Sequence, residues 1–239
     1  MATDLYVPRE RGPFPLVVLA HGKDGSPERL TMLASGWASA GYVVAVPYFP
    51  LTNDGIDGGA RIPDYVNQPE DVSFVIDEML RLSALDHGAL SQRIDPDRIG
   101  VAGHSLGAAT AYAVAFNSCC LDRRIDATIL MAGRRFPFRG EYTLDGVAAM
   151  WVHGDADLSL PHADSAEAYA QAASPKALVT LLGGSHSPPF EDTPDPHDRV
   201  VTLVTLDFWD AYLLGDSRAN ERIRADGEEP GLATVDYVP

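Results

Sequence analysis

Lysine is nearly missing from this chain. Lys23 and Lys176 are the only two, and every other basic residue is an arginine. Lysine and arginine together number 18 against 34 acidic residues, giving a net charge of −16. So little positive charge argues against nucleic acid and anionic membrane surfaces as partners. Cysteine is equally scarce: the only two, Cys119 and Cys120, are adjacent. That excludes a disulfide framework and any zinc-ligand spacing. Neighbouring cysteines bridge each other only rarely, because the geometry is demanding, so both are read as small apolar residues near a helix end. No apolar run approaches the roughly 20 residues of a membrane-spanning helix. Met1 to Pro8 lacks a basic region followed by an apolar one, so no signal peptide is expected. The default compartment is the cytoplasm, with a secreted precursor of greater N-terminal length left open. Internal repeats and low-complexity segments are also missing.

What is present is a 46% hydrophobic chain of 239 residues, a length that suits one α/β domain over 1–239. Short valine- and leucine-rich runs alternate with helical patterns. Strands are expected at Asp4–Pro8, Leu16–Ala20, Tyr42–Pro47, Arg98–Ala102, Ala127–Met131, Val147–Val152 and Ala177–Leu182. Helices are expected at about 30–38, 69–83, 108–116, 162–173 and 198–214, with Asp95-Pro96-Asp97 as a turn. Residues 48–65, rich in glycine and proline, read as loop, and 215–239 as a short helix and tail. The alternation predicts a mostly parallel sheet with helices on both faces. The excursion 133–146 is too short for a large cap, so an open active site is expected.

The most informative stretch is Gly103-His104-Ser105-Leu106-Gly107, set between a predicted strand and a predicted helix. A serine flanked by glycines at such a turn is the arrangement of a nucleophile elbow. Chance supplies the five-residue pattern in roughly one such chain in ten, so the pattern needs partners. A serine hydroxyl needs a base to take its proton, and the base is usually a histidine oriented by a carboxylate. Sites in open α/β sheets lie beyond the carboxyl ends of the strands.

After the strand ending at Val152 comes His153-Gly154-Asp155-Ala156-Asp157. Asp157 is the better acid, since it lies beyond the tight turn; Asp155 is the rival, with a turn role as its plainer explanation. After the next strand, Gly183-Gly184-Ser185-His186 places His186 in a glycine-rich loop as the base. His104 is expected to point away, His21 and His153 to be structural, His162 to start a helix, and His87 and His197 to lie on the surface. The backbone N–H groups of Leu106 and Lys23 are the candidate oxyanion donors, with Asp24 as the fallback for the second. Phe49, Leu51, Phe136, Phe138 and Phe190 fall in loops on the expected active face and are candidate substrate-binding walls, with ordinary loop packing as the alternative.

These motifs, in this order, resemble the α/β-hydrolase superfamily over nearly the whole chain. Pro13–Val18 leading into His21-Gly22, followed by Gly41–Ala45, is similar to the platelet-activating-factor acetylhydrolase, chlorophyllase and dienelactone hydrolase-like groups; bacterial polyester hydrolases and cutinases share much of the pattern. Dienelactone hydrolases carry cysteine where this chain has Ser105, and cutinases carry a glycine-rich extension where it has Ala108-Ala109. The resemblance implies carboxylic-ester hydrolysis with no metal and no organic cofactor, on a small-molecule or polymeric ester. Ser105, His186 and Asp157 would act through an acyl-enzyme, with the rate falling as pH drops through the range where imidazole takes up a proton. Lactone or thioester hydrolysis, acyl transfer and polyester depolymerisation use the same residues and stay open, as does a non-catalytic binding protein on this fold. Oligomeric state is not read from the sequence.

Overall fold

In the computed structural model, which describes residues 1–239, the apolar runs form one eight-stranded sheet. Its strands are β1 (Thr3–Tyr6), β2 (Phe14–Ala20), β3 (Val43–Pro47), β4 (Ile94–His104), β5 (Ile125–Met131), β6 (Ala148–Gly154), β7 (Lys176–Leu181) and β8 (Ala233–Val238). The order is β1-β3-β2-β4-β5-β6-β7-β8. From β3 through β7 the neighbours are parallel, and β1 and β8 close the two edges antiparallel. The helices are α1 (Thr31–Ser39), α2 (Gln68–Ser83), α3 (Leu106–Phe116), α4 (His162–Gln171), α5 (Asp198–Tyr212) and α6 (Ala219–Gly227).

The two-residue period of each strand sorts its side chains onto two faces. Val17 and Leu19 of β2 join Val44, Ile129, Met150 and Val179 beneath α1, α5 and α6, where Trp37, Val204, Phe208, Trp209 and Ile223 are buried. Leu16 and Val18 join Val43, Val101, Leu130, Trp151 and Leu178 beneath α2, α3 and α4. Both faces are covered, which is why the strands read as continuous apolar runs instead of alternating ones. Truncating one of these buried large side chains costs about 3 kcal/mol. The core thus fixes the strand ends on which the candidate site stands.

Three expectations are corrected here. Residues 228–239 are not a tail: after α6, the chain returns as β8 along β7, with Val179 opposite Val235 and Leu181 opposite Ala233. Tyr237 is buried in that strand, and its hydroxyl donates to Asn220 of α6 at 2.6 Å. Asp95-Pro96-Asp97 lies within β4, which begins at Ile94. The ladder with β2 shifts register between the Phe14–Ile94 and Leu16–Ile99 pairs, so β4 carries extra residues there. Finally, Cys119 and Cys120 form a disulfide. They lie in a tight turn after α3, where the Cys119 N–H donates to Asn117 Oδ1 and the Cys120 N–H to the Asn117 carbonyl, both at 3.0 Å.

Candidate functional site

Strand β4 ends at His104, and the chain turns at once into α3. Ser105 forms that turn with φ 55° and ψ −115°, in the left-handed region that a residue with a Cβ rarely adopts. Two close approaches require the flanking glycines. A Cβ on Gly103 would collide with the Gly107 carbonyl, and a Cβ on Gly107 would collide with the Ala20 carbonyl at the end of β2. The turn is also pinned by its own backbone: the Ser105 N–H donates to Met131 O of β5 at 2.9 Å, and the Ser105 carbonyl accepts from Ala108 at 3.0 Å.

The β7–α5 loop brings His186 to this serine. His186 Nε2 lies 2.8 Å from Ser105 Oγ, and its Nδ1 lies 2.7 Å from Asp157 Oδ2, in the loop after β6. The carboxylate can only accept from Nδ1–H, so Nε2 carries the lone pair and the serine hydroxyl donates to it. The Asp157 side chain is fully buried. Burial pushes its carboxyl up, but hydrogen bonds from His186 and from the Leu160 and Ser159 N–H groups outweigh this and hold it below the usual value. The rival Asp155 does a different job: its Oδ1 accepts the Gly183 N–H at 2.6 Å, tying the two loops together.

The surrounding cleft has a volume of about 330 Å³ and opens beside Ser105. Leu106, Lys23 and Phe136 line it. Neither the Lys23 nor the Leu106 N–H meets a backbone acceptor within the protein. Asp24, the fallback donor, gives its N–H to the Thr52 carbonyl at 2.9 Å. The Lys23 side chain pairs with Asp24 at 3.1 Å, with more than half of its surface exposed.

The other expected wall residues are not on the cleft. Phe49 is fully buried, edge-on to the His21 ring at a centroid separation of 5.1 Å. Phe190 is also fully buried, 5.3 Å from the His104 ring. Neither Leu51 nor Phe138 lines the cleft, and Phe138 packs on Tyr65 at 4.9 Å. Ile62, Ser159, Leu160, Ser187 and Glu191 supply the remaining wall together with Gly22 and His104. Ser159, Leu160, Ser187 and Glu191 were missed because they lie in loops without regular pattern, and the only signal was proximity in sequence to Asp157 and His186; Ile62 opens a short 3-10 turn inside the stretch read as loop and gave no signal.

Two histidines also depart from expectation. His104 does not point away. Its Nε2 lies 2.9 Å from the His186 carbonyl, its ring stands 5.1 Å from that of His186, and it lines the cleft. The carbonyl fixes the proton on Nε2, leaving a buried Nδ1 lone pair with no partner, 3.6 Å from Glu191 Oε1. Burial pushes His104 down to about 4 and pushes the Glu191 carboxyl up. His197 is buried as well, 2.6 Å from Asp195 and 3.1 Å from the Leu182 carbonyl. His21 has the structural place expected of it, with Nδ1 on the Gly22 carbonyl at 2.8 Å and Nε2 accepting the Phe49 N–H at 3.2 Å.

A family model described as chlorophyllase matches residues 3–132, more than half of the chain. The chain belongs to the chlorophyllase family. Membership in the chlorophyllase family, together with the mostly parallel sheet covered by helices on both faces, makes this an esterase-type hydrolase on an α/β-hydrolase fold without a large cap. The match spans β1 to β5 and so contains the elbow, whereas Asp157 and His186 lie beyond it. No curated protein matches the chain. No helix is long and apolar enough to cross a membrane.

Proposed function

We propose that the chain is a serine carboxylic-ester hydrolase that works through an acyl-enzyme on Ser105. One observation carries the reading: Ser105 Oγ, His186 and Asp157 form a continuous hydrogen-bonded line, 2.8 Å and 2.7 Å at its two links, at the mouth of a cleft. In that line the serine proton already faces a lone pair. As Oγ attacks the ester carbonyl, His186 takes the proton, and the Asp157 carboxylate stabilises the imidazolium that forms. The N–H groups of Leu106 and Lys23 hold the oxyanion, since both residues border the cleft and neither group has a competing backbone acceptor. His186 then returns the proton to the leaving alcohol, and a water activated by the same nitrogen releases the acid.

The apolar share of the wall, Ile62, Leu106, Phe136 and Leu160, suits the carbons flanking a small-molecule or polymeric ester. Ser105→Ala, assayed on a short-chain aryl ester, is expected to lose at least about 1,000-fold in kcat while keeping the wild-type circular dichroism spectrum. A folded Ser105→Ala protein that hydrolyses the ester at the wild-type rate would remove Ser105 from the mechanism.

A further inference from the structure

Asp157 holds more than the base. Its Oδ1 accepts from the Ser159 and Leu160 N–H groups at 2.7 Å and 2.9 Å. Its Oδ2 is shared: His186 Nδ1 lies 2.7 Å away and His153 Nε2 lies 3.1 Å away. His153 is fully buried in β6. Its Nε2 also lies 3.1 Å from the Leu160 carbonyl, and its Nδ1 lies 2.7 Å from the Ser165 hydroxyl of α4. A carbonyl and a carboxylate both accept only, so Nε2 must carry the proton, and the Ser165 hydroxyl donates to Nδ1. The tautomer is therefore fixed from both ends.

We propose that His153 is a positioning residue for the reaction: a neutral second imidazole whose Nε2–H fixes the rotation of the Asp157 carboxylate and shares Oδ2 with His186. The inference rests on the serine-esterase reading of the site. Its physical content is twofold. Without His153, the carboxylate loses the donor that keeps Oδ2 on the line to Ser105. The remaining negative charge also pulls harder on the His186 proton, because one hydrogen bond fewer disperses it. A histidine that served only to fill the core would change stability and leave the proton affinity of His186 alone. Burial holds His153 below the ordinary histidine value, which favours the neutral donor form. The other titratable groups facing this array are His162, whose ring lies 5.8 Å from that of His153, and His104 and Glu191 on the His186 side.

The test compares His153→Phe, His153→Gln and Ser165→Ala with wild type, by kcat and KM for an aryl ester across pH and by thermal unfolding. His153→Phe is expected to lose about tenfold in kcat with KM within about twofold. The acid limb of its pH profile should move to higher pH by about half a unit. His153→Gln, whose amide N–H replaces Nε2–H, should recover most of the rate and the wild-type limb. Ser165→Ala, which frees the tautomer, should move the limb the same way by less. A wild-type limb and kcat in His153→Phe overturns the inference; if that variant does not fold, the same result in Ser165→Ala overturns it. Ser105→Ala run alongside separates the two claims. Activity retained there sinks the serine-esterase reading itself, whereas an inactive Ser105→Ala beside an unaltered His153→Phe sinks only the role of His153.

Discussion

Ser105 is held by backbone packed on backbone, whereas Phe136, across the cleft, is held by other side chains. On the elbow side, the Gly103, Gly107 and Ala20 main chains approach so closely that no Cβ fits between them. On the far side, Phe136 packs edge-on to Tyr65 at 5.2 Å, with Phe138 on the same ring. The Tyr65 hydroxyl donates to the Pro137 carbonyl at 3.1 Å, and the Tyr142 hydroxyl to the Phe136 carbonyl at 3.0 Å. Main-chain packing at the ends of β2, β4 and β5 sets the position of a reacting atom. Aromatic side chains on loops shape the adjoining space, and they can change without disturbing the sheet. The difference separates where the chemistry stands from what the cleft admits.

Breaking the elbow side should have the largest effect. Gly107→Ala forces a Cβ into the Ala20 carbonyl, which ends β2, a strand paired on both sides, and has little freedom to yield. The expected loss is more than about 3 kcal/mol of stability, read by urea unfolding, with activity falling with the fold. A Gly107→Ala protein of wild-type stability would mean that β2 and α3 are not locked together as described.

The buried imidazole beside the elbow gives the next effect, through pH. His104 has an ordinary value of 6.5, pushed down to about 4 chiefly by burial. As pH falls below 6.5, the unfolded chain takes the proton before the folded one does. The stability present above pH 6.5 is therefore eroded between 6.5 and about 4, by about 3 kcal/mol. His21 and His153, lowered mainly by burial, act with the same sign. Unfolding free energies measured at pH 7 and pH 4.5 should show this drop in wild type and a shallower one in His104→Gln, whose amide can still donate to the His186 carbonyl. Equal drops in the two proteins would remove His104 as the cause.

The aromatic wall should give the smallest change in stability and a selective change in rate. Phe136→Ala is expected to cost about 1 kcal/mol or less, since the residue is only half-buried, on a loop. Its kcat/KM should change by about threefold to tenfold, unevenly across esters of increasing acyl length. A uniform change across the series would place Phe136 outside the path of the acyl group.

The same contrast explains what was legible in the sequence. Gly103, Ser105 and Gly107 stood out because a strand end running directly into a helix leaves few residues free to vary. The central strands were legible because each is buried on both faces and so reads as an unbroken apolar run. β8 was not: it is an edge strand, and the order buried, exposed, half-buried, exposed, buried from Ala233 to Tyr237 resembles a polar tail until β7 is beside it. The cleft wall was read poorly for a related reason. Phe49 and Phe190 are aromatic residues in loops near the active face, yet each turns inward to pack on a histidine, His21 and His104 respectively. Loop sequence carries no period from which the direction of a side chain could be inferred. The pairing of Cys119 with Cys120 depends on a turn whose bonds to Asn117 leave no mark on the spacing.

The central claim is that Ser105 is a nucleophile activated by His186. A fluorophosphonate reacts with such a serine and leaves a stable adduct of defined mass. After brief exposure of the whole protein, peptide mass spectrometry should find one adduct per chain, on Ser105, with labelling slowed at low pH and lost in His186→Ala. An adduct on a different residue, or a folded protein whose Ser105 stays unmodified, would contradict the account.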